Sequence, residues 1–275
     1  MSGSTKVGRA LRIAAVALFY LALPLALIAA NVRFAFSDEH VYEYSIDHYG
    51  VPDVTGISRA DLIAATDDIR AYFTNDEDYL RTVVHDQDGA VVPLFNAREV
   101  LHMHDVKSLV RVIYGLGTVA LIYVLAYIVC VVVWAQEESP AMLARRLLQA
   151  CAGTVVALVL FGVAAFTGGF DALFVKFHEL VFSNNYWQLD PARDHLVQMF
   201  PEGFWSDATL LLAVMTVVEL AAISWLSYLY LRRQRTGAEV PPVAAPEPVA
   251  PASDKTVPAS EPEPESASEP AQPVG

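Results

Sequence analysis

The chain has 275 residues, 55% of them hydrophobic, and carries 31 acidic against 18 basic side chains for a formal net charge of −13. That balance offers no basic surface to nucleic acid, so no nucleic-acid partner is expected. The two cysteines, Cys130 and Cys151, both fall in apolar stretches, which excludes a disulfide framework and leaves no thiolate nucleophile, because hydrocarbon cannot solvate one.

In chain order, residues 1–10 form a short basic start with Lys6 and Arg9, and Leu11–Ala30 is the first apolar run long enough to span a bilayer, which takes about 20 residues of helix. Leu27 and Ile28 occupy the positions where a cleavage site wants small residues, so an uncleaved span is expected. Residues 34–108 hold about 15 acids against about 5 bases, a segment too long to lack structure. Within it Ser58 and Asp61 have capping-box spacing, and Leu62, Ile69, Tyr72 and Phe73 recur on one helical face, which predicts a helix over Ser58–Phe73. Thr82–Val84 and Val91–Leu94 flank Asp88-Gly89, which predicts a hairpin.

The second span is Leu109–Trp134, followed by a short loop over 135–146 that ends in Arg145 and Arg146. The third is Leu147–Phe166, an aromatic segment covers 168–206, and Thr209–Leu231 is the fourth, followed by Arg232, Arg233 and Arg235. The basic residues cluster beside alternate span ends, so the positive-inside rule predicts cytoplasmic termini and a cytoplasmic 135–146 loop. The expected class is an all-α membrane protein of the cell membrane, with four transmembrane helices and a small extracytoplasmic α+β cap between spans 1 and 2. The Pro-, Ala- and Glu-rich tail over 236–275 cannot bury enough apolar surface to offset its ordering entropy. It is expected to be a disordered cytoplasmic extension, with a cytosolic ligand as its possible partner.

Two histidine blocks then lie on the outer side: FNAREVLHMHDVKSL over 95–109, and the stretch from Phe177 to Trp205. Histidine is the side chain whose ordinary pKa lies nearest neutrality, so the pair is the best candidate for proton transfer. Continued as a helix, the first block puts Arg98, His102 and Asp105 on one face and turns His104 about 200 degrees from His102. Asp105 can then hold one ring nitrogen of His102 and leave the other as a base. Arg98, Lys107 and Asn185 are candidate donors to an oxyanion. His178 sits in an aromatic stretch suited to the headgroup layer. On spacing and composition alone, a solvated juxtamembrane turn and an interfacial aromatic belt fit these blocks as well. His104 and His195 read as surface residues. Glu219, near the middle of the fourth span, reads as a structural polar contact to Gln149 or to a Ser or Thr on a neighbouring span.

The order of elements, with F-x-x-R-E-x-x-H-M-x-D-V-K before the second span and F-H-x-x-x-F-x-N-x-x-W-x-L-D-P and M-F-P-x-x-F-W before the fourth, resembles the small four-span family typified by lipoprotein intramolecular transacylase. The resemblance runs from about Leu11 to Arg233. It implies transfer of the sn-2 acyl chain of a diacylglyceryl lipoprotein to its own N-terminal cysteine amine on the outer leaflet, with membrane lipid around the site. No acyl donor, metal, nucleotide or other cofactor is implied. The family's important histidines match His102 and His178, and Glu99 and Trp187 are further motif positions that would support them. His102 would act as base and His178 as acid at the leaving glyceryl oxygen. Two other classes remain open at this stage: a membrane lipid-ester hydrolase using the same pair with water, and a non-enzymatic membrane assembly factor. A serine hydrolase has no G-x-S-x-G motif to support it.

Overall fold

The computed structural model describes residues 2–238 except 87, 135 and 137, with side-chain surroundings from 6 to 236. The expectation for the tail over 236–275 falls almost wholly outside the described residues. Four long helices are apolar enough to cross a membrane: α1 (Ser2–Ser37), α5 (Ala97–Tyr127, continuing as a π-helical segment Ile128–Trp134), α6 (Pro140–Gly168) and α9 (Glu202–Ala238). They overrun the apolar runs, α1, α6 and α9 at both ends and α5 at its start, because polar termini add turns. Helix α5, for example, starts at Ala97, well before Leu109.

Between α1 and α5 the chain folds into short elements. Asp38 caps α2 (Glu39–His48) by accepting from the His40 amide at 3.0 Å. Gly50 and Gly56, with φ of 59° and 70°, bracket α3 (Val51–Thr55) in a backbone region that only glycine adopts cheaply. Helix α4 (Arg59–Thr74) begins at Ser58, whose hydroxyl accepts from the Asp61 amide at 3.1 Å, as its sequence predicts. It buries Leu62, Ile69, Tyr72 and Phe73. The hairpin is β1 (Val83–His85) paired antiparallel with β2 (Val91–Pro93), Val84 opposite Val92. After α6 come α7 (Phe170–Val181) and α8 (His195–Met199). The sequence reading assigned nothing over α2, α3 and α8. These helices are too short for a 3.6-residue period to declare itself.

Two apolar clusters organise the described residues. One joins the 34–108 cap to the start of α5 and to α8 and the start of α9, with Ile46, Leu62, Ile69, Tyr72 and Met199 almost without exposure. Burying such side chains from water stabilises by about 1.5–3 kcal/mol each. The cap is therefore not built from its own segment alone, since Met199, Phe200 and Phe204 complete its core. The other cluster lies among the spans, where Phe19, Leu23 and Ala26 of α1 meet Ala120 and Val124 of α5 and Ala150 of α6. Small residues set the approach: a β-carbon at Gly117 would overlap that of Ala29, as expected where packing rather than hydrophobicity joins helices in lipid. Glu219 makes the structural contact expected of it, with a different partner. The Asn31 amide donates to it at 3.1 Å and also to Thr216 at 3.1 Å, while Gln149 accepts from Tyr20 at 2.6 Å. At the end of the spans away from the cap, Glu138 is buried against Arg146 and Tyr127, and Arg12 lies 3.6 Å from it.

Candidate active site

Helix α5 enters the cap through a capping box. The Asn96 side chain accepts from the amides of Arg98 and Glu99, and the Glu99 carboxylate accepts from the Asn96 amide at 2.8 Å. Asn96 and Glu99 have capping-box spacing, which the sequence reading did not assign as a helix start. Glu99 is 1% exposed, and its second oxygen accepts from the Leu196 amide at 2.6 Å, tying α8 to α5. Glu99 thus acts on the backbone, at the starts of α5 and α8. One turn further on, His102 is 8% exposed and faces His178, 7% exposed, with ring centroids 6.0 Å apart.

His178 is carried by α7, whose Phe174 and Phe177 flank it. The chain then turns at Phe182, whose ring lies 5.4 Å from His102 and 5.5 Å from His178, and returns with Trp187 at 5.0 Å from His178. The Nδ1 of His178 is 2.7 Å from the Phe174 carbonyl oxygen. A carbonyl only accepts, so Nδ1 carries the proton and the neutral ring presents Nε2 as its lone pair. Burial pushes the His178 pKa below its ordinary value, against a smaller upward effect of the Phe174 carbonyl. The Nδ1 of His102 is buried and has no hydrogen-bond partner. A buried polar atom left unpaired costs about 1–3 kcal/mol, and the ring that carries this one lies against His178 and Phe182.

The supporting residues divide. Arg98 donates to the Asn185 carbonyl at 2.6 Å, so Asn185 contributes its backbone and not the side-chain donor expected of it. The side chain that reaches α5 is that of Asn184, which donates to Asp105 Oδ2 at 2.8 Å. Asp105 therefore does not hold His102. Its other oxygen lies 3.7 Å from Nδ1 of the neighbouring His104, and the short Asp side chain is already engaged by the crossing loop. Lys107 is also corrected: its ammonium donates to Asn75 at 2.9 Å and the Glu77 carbonyl at 2.6 Å and stands 3.9 Å over the Tyr72 ring. It is 2% exposed and holds the cap onto α5, away from any oxyanion. His104 turns away from the pair to lie 5.4 Å from Tyr79, and His195 pairs locally with Gln198 at 2.9 Å. Among the described residues, no three His, Cys, Asp or Glu side chains gather as a metal site.

Comparison with known proteins gives a consistent picture. The sequence profile of the family described as lipoprotein intramolecular transacylase Lit matches residues 17–205. Among solved structures, the membrane-integral lipoprotein intramolecular transacylase Lit from Bacillus cereus superposes with a TM-score of 0.66 at 19% identity, over 84% of this chain and 99% of that one. A histidine-to-arginine variant of the same Bacillus cereus protein gives 0.64 at 17% identity, over 85% and 98%. At such identity the likeness is one of fold. No match is found among the curated proteins.

Proposed function

This chain belongs to the lipoprotein intramolecular transacylase family, and on that premise we propose that it moves the sn-2 acyl chain of a diacylglyceryl lipoprotein to the amine of the same N-terminal cysteine, on the outer leaflet. The observation that supports this reading is the buried His102–His178 pair at 6.0 Å, one ring with its tautomer set by the Phe174 carbonyl and the other with Nδ1 unpartnered.

The tautomer favours His178 for the base role that the sequence suggests for His102, and leaves His178 as acid at the glyceryl oxygen. His178 Nε2 takes a proton from the cysteine amine as its nitrogen attacks the ester carbonyl. His102 donates its N–H to the oxyanion that develops, where an aromatic, water-poor surround strengthens the bond. The intermediate collapses with cleavage of the carbonyl carbon to glyceryl oxygen bond, and that oxygen takes up the proton from the His178 imidazolium. An amide forms, an ester is lost, and the proton count closes. Nucleophile and ester share one molecule, so the protein's remaining task is to fold them into contact. The same dry enclosure disfavours water as a competing nucleophile.

The test is a purified diacylglyceryl lipopeptide with a free amine, incubated with the protein and no added phospholipid. The expected product has unchanged mass, with one acyl chain moved from glycerol to nitrogen on fragmentation, and acetylation of the amine stops its formation. Free fatty acid in its place would identify a hydrolase. No lipid change, with both histidines dispensable, would identify an assembly factor.

A further inference from the structure

Two consecutive loop residues cross the face of α5 that carries His102. Asn184 is bonded through its side chain to Asp105, one turn after His102 in sequence, and Asn185 through its carbonyl to Arg98, one turn before. The strap that carries them begins at Phe182, which touches both histidine rings, and ends at Trp187, which packs on His178. The anchor points thus bracket His102 along the helix, and the aromatic residues that bracket the strap set the position of the His178 ring relative to it.

We propose that Asp105 and Asn184 form a positioning pair for the transacylation: Asp105 acts on the strap, through the Asn184 amide, and holds Phe182 and Trp187 against the two histidines. The alternative, a carboxylate that orients His102 directly, finds no support in the geometry, because Oδ2 of Asp105 is engaged by Asn184 and Oδ1 faces His104. Chemistry favours the strap role as well. A primary amide donates to a carboxylate in a charge-assisted bond, about twice as strong as a neutral one, and this bond is half-buried. The cations on the neighbouring turns are otherwise engaged, Arg98 with Asn185 and Lys107 with Asn75 and Glu77. Among the described residues Asp105 has no cationic partner from Arg or Lys, so the amide is its main bond. The inference rests on the transacylase reading and adds to it a residue pair that touches neither substrate nor reacting atoms.

A swap separates the two roles. Asn184→Asp sets two carboxylates face to face and is expected to cut kcat by about tenfold, the size of a typical coupling between contacting polar groups. Adding Asp105→Asn restores an amide opposite a carboxylate with the partners exchanged, and the double variant is expected to recover to within about threefold of wild type. KM stays near its wild-type value, and the acid limb of the pH profile is unmoved in Asp105→Asn. Had Asp105 oriented His102, the two losses would multiply and the acid limb would shift, which overturns the proposal. If Asn184→Asp does not accumulate in the membrane, Asn184→Ala replaces it: with the amide gone, Asp105→Asn adds no further loss if the strap is its target, and adds its full loss if it is not. Wild type that yields no rearranged lipopeptide removes the transacylase reading and this role together. Active wild type without rescue removes this role alone.

Discussion

In the proposed reaction the histidine pair carries the chemistry, and the two rings are unequal. His178 is held in one tautomer by the Phe174 carbonyl, while the buried Nδ1 of His102 bonds to nothing. Replacing either with alanine is expected to lower the transacylation rate by about 10² to 10⁴, the usual loss of an acid-base group, with membrane accumulation unchanged. His104→Ala and His195→Ala are expected to have much smaller effects, since those rings pack on Tyr79 and Gln198 away from the pair. The pH dependence follows from burial. Because the pKa of His178 is depressed below 6.5, its Nε2 stays unprotonated through neutrality and is lost as a base only when pH falls through the lowered value. The substrate amine, with a reference pKa near 8, protonates first. A plot of log rate against pH should therefore rise with a slope of one between about 6.5 and 8 and steepen toward two only below 6.5. A slope of two already above 6.5 would contradict the burial of His178. That these two histidines are the candidates for proton transfer was legible from the residue types. The tautomer of His178 was not, because the Phe174 carbonyl that sets it is invisible to side-chain spacing.

At the scale of elements, the start of α5 is where cap, loop and site meet. Glu99 satisfies the Asn96 amide at the helix start and the Leu196 amide of α8 from a nearly unexposed position. Glu99→Ala leaves both N–H groups without an acceptor, at a cost of about 1–3 kcal/mol for each one that stays buried. Thermal unfolding in detergent should show a clear loss of stability, and kcat should fall because α8 no longer holds the second loop on α5. Glu99→Gln keeps one acceptor oxygen and should lose less. An unchanged melting temperature in Glu99→Ala would mean that the carboxylate does not join the two segments. Elements with a strong local signal were readable without coordinates: α4 from Ser58 and its apolar face, the hairpin from Asp88-Gly89. Lys107 was not. Its place in the first histidine block suggested a donor to an oxyanion, and only the return of Asn75, Glu77 and Tyr72 against α5 turns it into a cap anchor.

For the whole molecule, the orientation in the membrane remains a prediction from charge. Lys6, Arg9, Arg12, Arg145 and Arg146 lie at span ends away from the cap, as do Arg232, Arg233 and Arg235, and Arg12 and Arg146 converge on Glu138. A cysteine at Asp76 or Ser183, both exposed positions beside the cap and the strap, should react with an impermeant thiol reagent in intact cells, and one at Ser253 should not. The reverse labelling pattern would put the histidines on the wrong side for lipoprotein substrates. Four spans, the length of the cap segment and the two histidine blocks were determined by the amino-acid sequence itself, because hydrocarbon thickness fixes how many consecutive apolar residues a helix needs and neutral-range proton transfer narrows the side chains that can serve. Only the tertiary structure decided that the cap core is completed by Met199, Phe200 and Phe204, that His102 and His178 face one another at 6.0 Å, and that Asp105 binds Asn184. These are contacts between residues about 75 to 150 positions apart in the chain. Local periodicity reports which face of an element is apolar, whereas the partner that meets that face is chosen by how the separate elements close around a shared core.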